Sequence, residues 1–111
     1  MAWLKRPKVQ SFDLAPLLVN TTAGAATATK VSGLVTLNLL SVAPTAAYTG
    51  GTFLTLPSEL RPAGRLDFFF AANLTSTLYR SGYILPGGQI GVWAPSTDDK
   101  YRLLITYPAR E

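Results

Sequence analysis

The alternation of apolar and polar side chains divides this chain into short strands with turn residues between them. Val31 to Leu40 places Val31, Gly33, Val35, Leu37 and Leu39 on one parity, and Ser32, Thr36 and Asn38 on the other. That is the period of a half-buried strand. Ala43-Pro44-Thr45 ends it, because proline cannot continue a ladder. A turn or bulge at Tyr48 to Gly51 leads into a short strand, Thr52 to Leu56. A connection with two prolines and a glycine then precedes Arg65 to Asn73. Thr77 to Leu85, Gln89 to Ala94 and Tyr101 to Tyr107 read as three more strands, the first two joined by the compact turn Pro86-Gly87-Gly88. These last three are expected to form an antiparallel meander. No window has helical periodicity. Strand after strand at intervals of roughly ten residues predicts an all-β antiparallel β-sandwich, jelly-roll-like, or a small barrel.

The exception to clean alternation is Leu66-Asp67-Phe68-Phe69-Phe70-Ala71-Ala72. Phe68 and Phe70 share one face of this strand, and Phe69 takes the other. A small two-sheet domain covers one face of a strand, so the second calls for a partner. Phe68, Phe69 and Phe70 are therefore the expected oligomer interface. A continuous run buried inside a single barrel gives the same pattern.

Upstream, the first eight residues read as an extended basic lead-in, and Val9 to Asn20 as an edge strand or an arm laid on a neighbour. Thr21 to Thr29 is small-residue, low-complexity sequence and reads as a flexible loop. The expected division is an N-terminal arm and flexible segment over 1–30 and a β-sandwich head over 31–111.

Composition narrows the function. The 111 residues fit one domain, and only 14% are charged against 48% hydrophobic, so much of the surface is uncharged or covered by partners. With no cysteine there is no disulfide or thiolate site, and with no histidine there is no His-dependent triad. Zinc is thereby implausible, and no cofactor or metal is expected. No apolar run approaches a membrane span, and the basic start lacks the apolar core of a secretory signal. Of the six acids, only Asp98-Asp99 are close in sequence, and neighbours in a turn point apart. The Ca²⁺-loop spacing is missing. Asp67 is expected to pair with Arg65 or Arg61 rather than to catalyse. Asn20-Thr21-Thr22 and Asn73-Leu74-Thr75 match the glycosylation pattern by chance. The chain is not expected to be an enzyme.

Binding residues remain. Trp93 lies just before the turn Ala94 to Asp99 and is the best surface platform, with Asp98, Asp99 and Arg80 as polar companions. The net charge of +4 is concentrated in part at Lys5, Arg6 and Lys8. With Trp3 these form a candidate anchoring arm. Arg80, Arg102, Tyr79 and Tyr101 faintly match a single-strand nucleic-acid groove, but the RNP-type signature is missing, and nucleic acid is not the expected partner.

The stretch Gly51 to Tyr107 resembles the C-terminal knob of bacteriophage tail fibres and related tail-appendage proteins. The resemblance rests on Leu56-Pro57 and Leu60-Arg61-Pro62 in one connection, the aromatic strand, Gly82-Tyr83-Ile84, the turn Pro86-Gly87-Gly88-Gln89-Ile90 and a Tyr-rich final strand. It implies a homotrimeric head on a virion tail appendage, without catalysis, that adsorbs to host surface polysaccharide or protein. No shaft repeat is expected before the head, so either the arm docks onto another tail protein or the chain serves a different virion role. Receptor residues do not carry over. The alternatives are a capsid decoration or tail-scaffold protein without receptor binding and, further off, an OB-like nucleic-acid binder.

Overall fold

The computed structural model describes residues 8–22, 25–72, 78–93, 95–96 and 98–110. They form β1 (Val9–Asp13), β2 (Thr21–Thr22), β3 (Ala25–Val31), β4 (Leu34–Pro44), β5 (Gly51–Thr55), β6 (Leu66–Ala71), β7 (Tyr79–Ile84), β8 (Gln89–Val92) and β9 (Tyr101–Pro108), with short 3-10 turns at Ala15–Leu17 and Ser58–Leu60. All pairings are antiparallel. The order is β1-β3-β4-β9-β6-β7-β8-β5, and β2 pairs with the far end of β4. The sheet turns a corner between β9 and β6, which share the single pair Ala71–Arg102. Each half thus has one face on a common core and one face outward, so the fold is the all-β sandwich type expected.

The core follows the parity of the strands. Val35, Leu37 and Leu39 of β4 are fully buried, as their alternation requires, while Leu34 and Leu40 point outward. Phe70 of β6 meets Phe53 of β5 and Tyr101 of β9 at centroid distances of 6.1 and 5.8 Å. Phe68 leans on Phe70 at 5.0 Å and is half-buried. Full burial of Phe70 corrects the expectation that this ring forms an oligomer interface. Phe70 is enclosed by this chain's own atoms, Phe53 and Tyr101 among them, whereas Phe68 on the same face is half-buried. Phe69 keeps the outward position.

Three other expectations change. Val31 to Leu40 is not one strand, because Ser32 (φ 51°) and Gly33 (φ 80°) form a two-residue hairpin loop between β3 and β4. Positive φ at both central positions suits the twist of such a hairpin. Thr21 to Thr29 is not a loop: most of it is strand, with Ala26 and Ala28 buried and Thr27 and Thr29 exposed. For Val9 to Asn20 the edge-strand alternative holds over its first residues, with β1 paired on β3. The meander of the last three strands fails at its final step. The β7–β8 hairpin forms, but the outer edge of β8 is taken by β5, and β9 lies instead between β4 and β6. The real meander is β6-β7-β8.

The two-proline connection is fixed to the end of the molecule. The Tyr107 hydroxyl donates to the Leu60 carbonyl at 2.6 Å, Lys30 Nζ to the Glu59 carbonyl at 2.9 Å, and the Arg110 amide to the Arg61 carbonyl at 2.7 Å. At the centre of the second half-sheet, a Cβ on Gly82 would overlap the ring of Phe70. Phe70 is fully buried and has nowhere to move. Gly82→Ala is expected to cost about 1–3 kcal/mol by overpacking. Part of that loss should be recovered when Phe70→Leu is added, which a double-mutant cycle by urea unfolding would read.

Candidate functional site

The sequence-derived candidates fall into two places. The first is a buried anchor. The Asp99 side chain, 2% exposed, accepts from Arg80 Nε at 3.0 Å and Arg80 Nη2 at 3.2 Å. It also accepts from the Ser96 amide and the Tyr101 hydroxyl, both at 3.0 Å. The Asp99 amide returns a bond to the Ser96 carbonyl at 3.0 Å. Arg80 and Asp99 are therefore not a solvent-facing ligand pair as the sequence suggested. They close the turn that precedes β9, and the carboxylate is occupied by donors of its own chain. Asp98 is exposed, and its amide donates to Ser96 Oγ at 3.3 Å. The hydrogen bond to Asp99 holds the Arg80 guanidinium even more firmly in its charged form.

The second place is the outward face of β6, β7 and the end of β8. Register puts Phe69 opposite Ser81, and Asp67 opposite Tyr83. The Trp93 amide donates to the Ser81 carbonyl at 2.9 Å, so Trp93 stands on the far side of β7 from Phe69. Both aromatics are solvent-facing, Phe69 68% and Trp93 53% exposed. Asp67, Phe68, Phe69, Ser81, Gly82 and Trp93 line an open groove of about 340 Å³. The sequence reading assigned Phe69 to an interface and Trp93 to a ligand. The fold brings them into one site.

This groove is braced from one side. The Tyr83 and Trp93 rings lie 5.1 Å apart. Tyr83 lies across Gly91, where any Cβ would collide with its ring and hydroxyl. The Arg65 guanidinium sits 5.6 Å from the centre of the Tyr83 ring and pairs with Asp67 through Nε at 2.9 Å. The expected Arg65–Asp67 pair is thus present, at an exposed position. Of the candidate arm, Lys8 is exposed, and Trp3, Lys5 and Arg6 lie outside the described residues. Among the described residues no group of three or more carboxylates is placed to hold a metal ion, and no helix is long and apolar enough to cross a membrane.

A curled antiparallel sheet with an aromatic groove on one outer face defines an all-β domain. No protein-family model and no curated protein matches the chain. Among solved structures, the receptor binding protein gp15 of Listeria phage PSA has the same fold. It superposes with a TM-score of 0.78 over 95% of this chain and 67% of that one, at 23% sequence identity. The likeness to tail-appendage heads, seen in the sequence over Gly51 to Tyr107, extends to nearly the whole chain at the level of fold. At that identity it carries no residue roles.

Two outcomes follow for the anchor. Asp99→Ala strands the Arg80 cation and the Tyr101 hydroxyl and is expected to cost about 3 kcal/mol. Asp67→Ala, at an exposed pair, should cost about 1 kcal/mol or less. Equal losses in urea melts would refute the anchoring role. Burial pushes the phenols of Tyr48, Tyr101 and Tyr107 above their usual range, with the bond to Asp99 adding to the effect at Tyr101. Their folded-state protons are therefore held more tightly than in the unfolded chain. Stability from these groups should be constant up to about pH 10 and fall above it. In an alkaline titration, part of the tyrosinate absorbance should appear only together with loss of near-UV circular dichroism.

Proposed function

We propose that this protein is a non-enzymatic attachment head of a bacteriophage tail appendage, acting as a homotrimer that adsorbs to the host surface. The observation that carries this reading is the shared fold with a phage receptor binding protein across 95% of the chain. The low charge and the absence of histidine and cysteine agree with a binding rather than a catalytic role.

Self-association is supported by the outer face of β3, β4 and β9 rather than by Phe68 and Phe70. Cross-strand rows there read Val31–Leu34–Pro108, Thr29–Thr36–Thr106 and Thr27–Asn38–Leu104. None of these residues is charged, and Leu104 is 72% exposed. Ionisable groups stand at the margins, Asp13 on edge strand β1 and Arg102 at the corner with β6. Such a face can be buried against copies of itself without trapping like charges, which would otherwise oppose association. In this reading the anchoring arm with Lys8 is left to meet other tail proteins.

Light scattering should return three times the monomer mass, and Leu104→Glu should return the monomer with its far-UV circular dichroism unchanged. Fluorescently labelled protein should adsorb saturably to whole cells of some strains in a bacterial panel. Failure to adsorb to any strain, with the assembly intact, would remove the attachment role and favour a structural part of the particle.

A further inference from the structure

The groove on the β6-β7-β8 face has the properties of a sugar site. Its two walls, Phe69 and Trp93, flank β7 from opposite sides, with Ser81 between them. Strand spacing of about 4.8 Å puts the two aromatic positions roughly 10 Å apart. Ser81 is small, so the space between the walls stays open. The volume is at the lower end of the range for small-ligand sites, about 300–1,000 Å³. The exposed rings offer flat apolar surface, and Asp67 and Ser81 offer a carboxylate and a hydroxyl beside it. A ligand that matches must have a flat apolar face and hydroxyl groups on its rim.

Charge narrows the class. Asp67 is paired with the Arg65 guanidinium, so the rim carries both signs at 2.9 Å and no net charge. A cationic ligand would meet Arg65, and an anionic one would meet Asp67. A neutral ligand meets neither penalty, and its hydroxyls can donate to the Asp67 carboxylate and exchange hydrogen bonds with Ser81 Oγ. The groove is also preorganised on the Trp93 side, because the buried Tyr83 ring packs beside the indole at 5.1 Å.

We propose that this groove binds a neutral pyranoside of a bacterial surface glycan, its ring stacked on Phe69 and Trp93 and its hydroxyls bonded to Asp67 and Ser81. The assignment rests on the attachment role above and moves the ligand site from the turn before β9 to the open sheet face. It also gives Phe69 a ligand in place of a neighbouring subunit.

The test uses the full chain. Methyl glucoside, methyl galactoside and methyl N-acetylglucosaminide serve as probes in saturation-transfer NMR, beside an array of bacterial surface glycans and a cell-adsorption assay. At least one neutral pyranoside or glycan should bind, with little dependence on salt, since no net charge is paired. Phe69→Ala and Trp93→Ala should each weaken half-saturation by roughly tenfold or more. Phe69→Tyr should retain most of the binding. Because Trp93→Ala also uncovers Tyr83, the Phe69 variants carry the decision. Unchanged sugar binding in Phe69→Ala would overturn the groove assignment. Preference for tetramethylammonium or inorganic phosphate over every neutral probe would overturn the ligand class. Wild-type adsorption to cells that Phe69→Ala leaves intact would reject the groove while sparing the attachment role. Adsorption to no strain would bring down the attachment role itself.

Discussion

Closure of this molecule depends on the alternation of side chains along β6. That strand is joined to β9 by only one residue pair, at the corner of the sheet, so backbone bonding does little to hold the two halves together there. Side chains do it instead. Phe70 packs on Phe53 of its own half-sheet and reaches across the corner to Tyr101 of β9, and it takes the volume that a side chain at position 82 would need. The same parity that sends Phe70 inward sends Phe69 outward, so the closing contact and the exposed aromatic wall are two consequences of one register. A one-residue slip would exchange them, exposing the core ring and burying the wall.

Fold class was legible because it rests on period and punctuation. Val35, Leu37 and Leu39 on one parity, the Pro86-Gly87-Gly88 turn and the Tyr-rich last strand are local signals, and each meant what it said. Topology was harder. Ser32-Gly33 was hidden inside a run whose alternation in the sequence shows no break, although the hairpin puts Val31 beside Leu34 on the outer face and Val35 in the core. The Ala and Thr of β3 gave too little hydrophobic contrast to read as a strand, although Ala26 and Ala28 are buried. The final pairing of β9 was not legible at all. A hairpin is specified by its own turn, whereas the placement of β9 between β4 and β6 is decided by which edges are still open once β5 has capped β8.

The candidate site was legible as a set of residue types but not as an arrangement. Asp98 and Asp99 are equivalent in sequence, yet one is exposed and the other buried with four hydrogen-bond donors on its carboxylate. Proximity to Arg80 and Tyr101, 19 and 2 residues away, created that difference. Asp67, by contrast, pairs with Arg65 two positions along the same strand face, a spacing that the sequence states directly. The pair within one strand could be read, and the pairing of Asp99 with Arg80 across 19 residues could not.

The two outer faces differ in charge and shape. The face of β3, β4 and β9 is made of uncharged rows, with threonine between aliphatic side chains, and it extends across three long strands. The face of β6, β7 and β8 is narrower, aromatic and concave, with an ion pair on its rim. Burying the second face against another subunit would desolvate the Arg65–Asp67 pair, and an ion pair moved out of water seldom regains what its solvation was worth. Left open to water, that pair costs nothing and can exchange hydrogen bonds with a hydroxylated ligand. Under the proposed attachment role, association across the threonine-rich face and recognition across the aromatic one is the division that leaves no charged group buried without need.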